Sequence, residues 1–281
     1  MPIQLIFNAD DYGRTPAVSR AIRQAHLNGL VTSTTCMMNL PDTVADIAIA
    51  LRETPRLGLG VHLTLTADSP LLPASQLPSI ITAEGRFLKL GQFIANLGQL
   101  NIAEVKAEWR AQIEAFVQAS GHSPTHLDSH HHSSYFSPAL LRAMLELARD
   151  YHCPIRLPIV DKKSWQVTGL PGEITPYIQR EIAALVAEFN PTCPTSFFAD
   201  FYDENATLQE LTRIFDSLPD GTSAEIMCHP GFNDAALTAV SSYNHQRETE
   251  YTLLTDPRTL AEVQARHLTL IHFAHLPPNR N

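Results

Sequence analysis

The chain has 281 residues, of which 44% are hydrophobic, with a formal net charge of −9 and a pI near 5.8. This length and apolar content suit one large core, and a single α/β barrel over residues 1–281 is the expected domain organisation. The acidic balance excludes a nucleic-acid groove or an anionic membrane surface, which call for clustered Lys and Arg, and favours a neutral or weakly charged small-molecule partner.

Met1 to Phe7 lacks the basic and long apolar regions of a signal peptide, and no run of about 18 apolar residues occurs, so a cytoplasmic protein is expected. The first strand reads as Ile3 to Asn8, followed by a helix over Pro16 to Asn28, a strand over Ser33 to Met38 and a helix over Asp42 to Arg52. A strand at Leu57 to Leu63 leads into a long connection, Thr66 to Asn101, before a helix over Ile102 to Ser120. Strand Thr125 to Ser129, helix Pro138 to Tyr151 and strand Pro154 to Leu157 come next, then a second long connection, Val160 to Thr175, carrying Trp165. Helix Pro176 to Phe189, strand Thr195 to Ala199, helix Leu208 to Leu218 and strand Ala224 to Cys228 continue the alternation. A third long connection, Gly231 to Glu250, carries Phe232, Tyr243 and Arg247; helix Pro257 to Arg266 and strand Leu268 to Phe273 close the pattern. Strands alternating with helix-period segments specify βα units and a parallel sheet. Pro16 and Pro138 each fit a first helical turn, where a missing N–H costs nothing. Connections this long in a compact domain are usually binding loops. The four cysteines, Cys36, Cys153, Cys193 and Cys228, show no paired spacing and read as free thiols.

One segment stands out: His126-Leu127-Asp128-Ser129-His130-His131-His132 places five metal- or proton-handling side chains within seven residues. On a strand, His126, Asp128 and His130 share one face. The competing explanations are a purification tag, a solvated polar loop or core histidines satisfied by backbone; the internal position and interruptions exclude the first. A mixed His/Asp cluster does not fix the metal. Other strands also end in reactive residues: Asp10-Asp11 after the first, His62 in the third, Arg156 in the fifth, Asp200 after the sixth and His229-Pro230-Gly231 after the seventh. Singly these are weak, since an Asp pair is as often a helix cap and a lone His is more often a satisfied core residue. In a parallel barrel, however, all these carboxyl ends meet on one face.

Asn8-Ala9-Asp10-Asp11-Tyr12-Gly13, Val31-Thr32-Ser33-Thr34-Thr35, Gly60-Val61-His62-Leu63, Pro124-Thr125 with the histidine segment, and Cys228-His229-Pro230-Gly231 resemble, in order and spacing, the YdjC-like (ChbG) carbohydrate deacetylases. The resemblance covers essentially the whole chain. It implies a barrel related to the NodB-type polysaccharide deacetylases, with one divalent ion, Mg2+ or Zn2+, held by Asp11, His62 and His130. It further implies Asp10 as catalytic base and His229 as proton donor to the leaving amine, with an N-acetylated, chitobiose-like sugar as substrate and acetate as product. Arg156 is the candidate for orienting Asp10 and keeping it ionised. His126 and Asp128 are candidates for orienting the ligating histidine, a common need, and His131 and His132 for the substrate rim or for packing. Ser133-Ser134-Tyr135-Phe136 stands where many relatives continue Val-His, a departure that leaves the ligands intact. A phosphoesterase or cyclic amidohydrolase on a similar barrel, and a non-catalytic sugar-binding relative, are the alternatives; the first would hold two metals and the second needs neither base nor acid. A homodimer is left open.

Overall fold

The computed structural model of the protein describes residues 2–157 and 176–277. At its centre is β1 (Gln4–Tyr12), buried along all but its first residue, as a parallel strand covered on both faces must be. β6 (Ser223–Cys228) runs along one edge of β1, from Gln4 opposite Ser223 to Ala9 opposite Cys228. The other edge is shared: β7 (Thr269–Leu270) pairs with Gln4 and Leu5, and β2 (Ser33–Cys36) takes over from Asn8 onward. With β3 (Gly58–Leu63), β4 (Leu127–Ser129) and β5 (Ser196–Phe198) the order is β4-β3-β2-β1-β6-β5, and every pairing is parallel. The expected strand Pro154 to Leu157 contributes only a single bridge, Ile155 to Leu127. Pro154 has no N–H to give, Arg156 N–H reaches back to Leu127 O at 3.0 Å, and Ile155 N–H turns the other way to Thr192 O at 2.9 Å. This short stretch links β4 towards the chain entering β5, and the sheet is a parallel half-barrel.

The expected helices form within one residue of their predicted ends: α1 (Pro16–Asn28), α2 (Thr43–Glu53), α4 (Ile102–Ser120), α5 (Pro138–Asp150), α6 (Pro176–Phe189), α7 (Leu208–Ser217) and α10 (Pro257–Ala265). Pro16 and Pro138 occupy first turns behind the caps Thr15 and Ser137, whose side chains accept from Val18 and Leu140 N–H. The long connections are partly helical. Thr66 to Asn101 contains α3 (Leu90–Ala95), and Gly231 to Glu250 contains α8 (Ala235–Val240) and the first turns of α9 (His245–Leu254). Val160 to Thr175, with Trp165, lies outside the described residues.

The Thr66 to Asn101 connection is fixed by one polar stripe on α4. Glu104 accepts from Ser79 N–H and Oγ, Glu108 from Leu71 and Leu72 N–H, and Gln112 bonds both N–H and C=O of Thr64, all at 2.8–2.9 Å. Residues spaced by four share a helix face, so three side chains of α4 pin the chain just after β3.

Alternation along β1 divides the interior. Leu5, Phe7 and Ala9 join the main core with Ile22, Trp109, Leu141 and Phe215. Ile6 packs instead with Ile271, Phe273 and Leu276, and above it on the same face come Asn8 and Asp10. His126 stacks on Phe273, ring centroids 3.7 Å apart, at this apolar level. Gly60 lies against it: a Cβ there would meet His126 Nδ1 at 2.5 Å and its backbone O at 2.7 Å, so only glycine fits. No helix of the described residues is long and apolar enough to cross a membrane, and the four cysteines are free.

Candidate active site

The polar residues gather at the carboxyl ends of the strands. β1 loses register between Ala9 and Tyr12, and Asp11 takes a left-handed backbone conformation, φ 70°. Asp tolerates that region better than most residues, and the twist sends adjacent carboxylates in different directions. Asp10 meets Arg156; Asp11 meets His62, His130 and Arg247. After β4, His131 and His132 are both left-handed, φ 54°, which turns the chain sharply behind His130.

Asp11, His62 and His130 bring three ligand atoms within 4.8 Å of one another, all buried. Asp11 Oδ1 lies 3.5 Å from His62 Nε2 and 3.2 Å from His130 Nδ1, and the two imidazole nitrogens are 3.3 Å apart. The donor set fits a divalent cation on three counts. Asp11 Oδ1 is buried without a hydrogen-bond partner. His62 Nδ1 is bonded to Asp128 Oδ1 at 2.6 Å, which turns Nε2 towards the cluster. Among the described residues, three buried aspartates, Asp10, Asp11 and Asp128, face two buried guanidinium groups, Arg156 and Arg247, one carboxylate more than there are arginines to answer them. That excess shows in His62: burial opposes its charge, yet Asp128, Asp10 and Asp11 together push it up to about 9.

Asp10 contributes nothing to that trio. Arg156 grips it with Nη1 to Oδ2 at 2.9 Å and Nη2 to Oδ1 at 2.6 Å, and Asn8 Nδ2 donates to Oδ1 at 2.9 Å. Burial resists ionisation, but Arg156 outweighs it and holds Asp10 below the usual carboxylate range. Arg156 is fully buried and answers two further carboxylates, Asp128 Oδ2 at 3.1 Å and Glu225 Oε1 at 2.8 Å. A second convergent group, Asp10, His62 and Asp128, is therefore already occupied by the guanidinium.

His229, just past β6, faces Asp10 from the other wall, Nε2 to Oδ2 4.0 Å. Its backbone N–H donates to Glu250, whose other oxygen accepts Tyr243 Oη–H at 2.5 Å. Burial pushes Glu250 up to about 7 and drives the His229 imidazole down to about 4 against the pull of Asp10. Tyr202 and Tyr243 stack, centroids 4.4 Å apart, with His229 edge-on to both. These groups open into a cavity of about 880 Å³, walled by the Thr66–Gln92 stretch on one side and by Ala239–Tyr243 on the other.

The structure brings together all six residues singled out from the sequence: Asp10, Asp11, His62, His130, Arg156 and His229. The other candidates fall in several places. Of the two candidate orienters, Asp128 bonds His62, whereas His126 sits on Phe273 with its Nδ1 bonded to Thr125 Oγ1 at 3.0 Å. His131 lines the cavity, its ring tilted 31° against that of His130 at 3.8 Å and bonded to Thr66 Oγ1 at 2.9 Å. Asp200 pairs with Arg213 at 3.3 Å and is absent from the cavity wall. Sequence reasoning assigned nothing to Arg247, Glu250, Glu225 or Tyr202. The available signal for Arg247 was its place in the long Gly231 to Glu250 connection.

Fold and site together define a parallel α/β protein with a buried carboxylate–histidine centre, able to hold a metal, at the carboxyl ends of its strands. The family model for YdjC-like proteins matches residues 4–265, and the chain belongs to that family. It is 34% identical over 273 residues to a carbohydrate deacetylase of Geobacillus stearothermophilus, covering 97% of this chain and 98% of the relative. A carbohydrate deacetylase of Brevibacillus brevis is 36% identical over 274 residues, with coverage of 98% and 100%. A crystal structure from Enterococcus faecalis V583, provisionally described as a cellobiose-phosphate cleavage protein, superposes with a TM-score of 0.86 at 31% identity and covers 97% of this chain and 98% of that one.

Proposed function

We propose that the protein is a metal-dependent carbohydrate deacetylase that hydrolyses the N-acetyl amide of an amino sugar, chitobiose-like oligosaccharides included, and releases acetate. The observation that carries this reading is the division of labour between neighbours: Asp11 stands with two imidazoles, while Asp10 stands apart with Arg156. Binding alone would need no such pair. One ion, Mg2+ or Zn2+, would be held by Asp11, His62 and His130, and when bound it polarises the amide oxygen and lowers the pKa of water. Occupation of the second group by Arg156 favours one metal over the two of a phosphoesterase-type site.

The chain's own residues supply the proton transfers. Asp10, kept ionised by Arg156, accepts a proton from the water that adds to the acetyl carbon. His229 gives a proton to the amine nitrogen as the C–N bond breaks, leaving acetate and a free amine. With its imidazole down at about 4, His229 is unprotonated at neutral pH, so the proton that it gives is one gained during the reaction. Its source is Asp10, which has taken it from the attacking water, and a water or the substrate must bridge the 4.0 Å between Oδ2 and Nε2. The stacked Tyr202 and Tyr243 form an aromatic wall beside the reacting groups, a surface suited to a sugar ring. The cytoplasm is the proposed location, in keeping with four free cysteines.

The test is incubation of the metal-loaded protein with a panel of N-acetylated mono- and oligosaccharides, reading acetate and loss of acetyl mass. Release of acetate from at least one N-acetylated sugar is expected. Tight sugar binding with no acetate from any member, or phosphate release from phosphate esters instead, would overturn the reading.

A further inference from the structure

The two oxygens of Asp11 keep different company. Oδ1 faces His62 and His130 and accepts no hydrogen bond, whereas Oδ2 accepts Arg247 Nη2 at 2.5 Å. Arg247 is itself immobilised. Its Nε donates to Tyr243 O at 3.0 Å, its carbonyl accepts Gly231 N–H at 3.1 Å, and only 4% of the residue is exposed. The stem crosses Gly231 so closely that a Cβ there would lie 3.0 Å from Arg247 Cδ. The glycine of the His-Pro-Gly segment thus makes room for the arginine. None of these contacts involves the Asp10–Arg156 pair, so Asp11 has a guanidinium of its own.

A carboxylate can offer a cation one oxygen or two. A guanidinium N–H on one oxygen competes for its lone pairs, and the fixed charge repels a cation nearby. We propose that Arg247 is a positioning residue that restricts Asp11 to a single ligating oxygen, Oδ1, and weakens the centre's hold on a divalent cation. A bound ion would then receive less charge from Asp11 and would polarise a carbonyl oxygen more strongly. The inference rests on the metal-centre reading above. It assigns to α9, which supplies no ligand, control over how the ligand from β1 is presented.

The experiment is a Zn2+ competition titration of metal-stripped wild type, R247Q and R247K against a chromophoric chelator, together with a crystal structure of zinc-loaded wild type. A unit charge a few ångströms from a dication weakens binding by on the order of tenfold even in a water-like dielectric, so R247Q should bind Zn2+ roughly tenfold more tightly. R247K keeps the charge and should stay within about threefold of wild type. The zinc-loaded structure should show Asp11 coordinating through Oδ1 alone, with Arg247 still on Oδ2. Loss of an ordinary structural support would move affinity the other way. Equal or weaker binding by R247Q, equal tightening in both variants, or a bidentate Asp11 would overturn the role of Arg247 and leave the metal centre standing. Absence of Zn2+ binding by wild type would overturn the metal centre and this inference with it. If R247Q does not fold, the zinc-loaded wild-type structure decides alone.

Discussion

Replacing Asp10 by Asn removes the proposed base and leaves every proposed ligand in place, because Asp10 adds no atom to the Asp11, His62 and His130 cluster. The substitution is nearly isosteric but not neutral. Arg156 and Asn8 present only donors to Asp10, so an amide nitrogen at this position must face one of them. At least one charge-assisted hydrogen bond is lost, a cost of about 1.5–3 kcal/mol. Asp128 still faces Arg156 at 3.1 Å and Glu225 Oε1 still accepts from its Nε at 2.8 Å, so the guanidinium is not stranded. For a chain of this size the melting temperature should fall by roughly 3–5 °C, and the protein should remain folded at 25 °C. Turnover should drop by about 10²- to 10⁴-fold, the usual worth of general-base assistance, which is roughly 2.7–5.4 kcal/mol of barrier. Acetate release at saturating substrate and elemental analysis on the same samples give the two readouts. D10N should retain wild-type metal content, whereas H130A should lose metal and activity together. Equal metal loss in both variants, or turnover by D10N within tenfold of wild type, would refute the division between base and ligand.

Three further outcomes are expected. D128N removes the charge that orients His62 Nδ1 at 2.6 Å, and metal affinity should fall about 10- to 100-fold in a titration; an unchanged affinity would separate Asp128 from the centre. E108A deprives Leu71 and Leu72 N–H of their acceptor, at a cost of about 1–3 kcal/mol. It should speed proteolytic cutting between residues 64 and 101 and raise KM with little change in kcat, so a fall in kcat alone would contradict the idea that this stretch serves as a binding wall. Glu225 concerns pH: burial pushes its carboxyl up to about 8 in spite of Arg156, so its protonation stabilises the fold fully below the ordinary 4.5 and the contribution is lost as pH rises through about 8. Urea unfolding of the metal-stripped protein should show stability declining by up to a few kcal/mol between pH 5 and 8, and E225Q should flatten that slope. An unaltered slope in E225Q would exclude Glu225 as the titrating group.

The strand ends were legible because each apolar run stops at a residue that cannot be left in a core unsatisfied. Asp10-Asp11, His62, Arg156 and His229 all announce themselves this way, and parallel topology then gathers them. Ile102 to Ser120 was legible as a helix from its periodicity, but the task of its stripe of Glu104, Glu108 and Gln112 was not. Those residues are partnered by backbone groups 25 to 48 positions away, which no local pattern encodes. α9 went unread because Gln246-Arg247-Glu248-Thr249-Glu250 carries almost no apolar periodicity. Besides Leu254 at its end, its buried residues are charged, Arg247 and Glu250, held by Asp11 and by His229 N–H. Asp128 was legible as a candidate orienter, but which histidine it meets depends on the register of β3 against β4, where His62 stands opposite Asp128.

The central claim is that one metal ion at Asp11, His62 and His130 drives removal of an acetyl group. Metal-stripped protein can be titrated with a divalent cation while acetate release from a responsive N-acetylated sugar is followed. The account predicts no release without metal and a linear rise that saturates at about one equivalent per chain. Full activity in the metal-free protein, or saturation only at two equivalents, would contradict it.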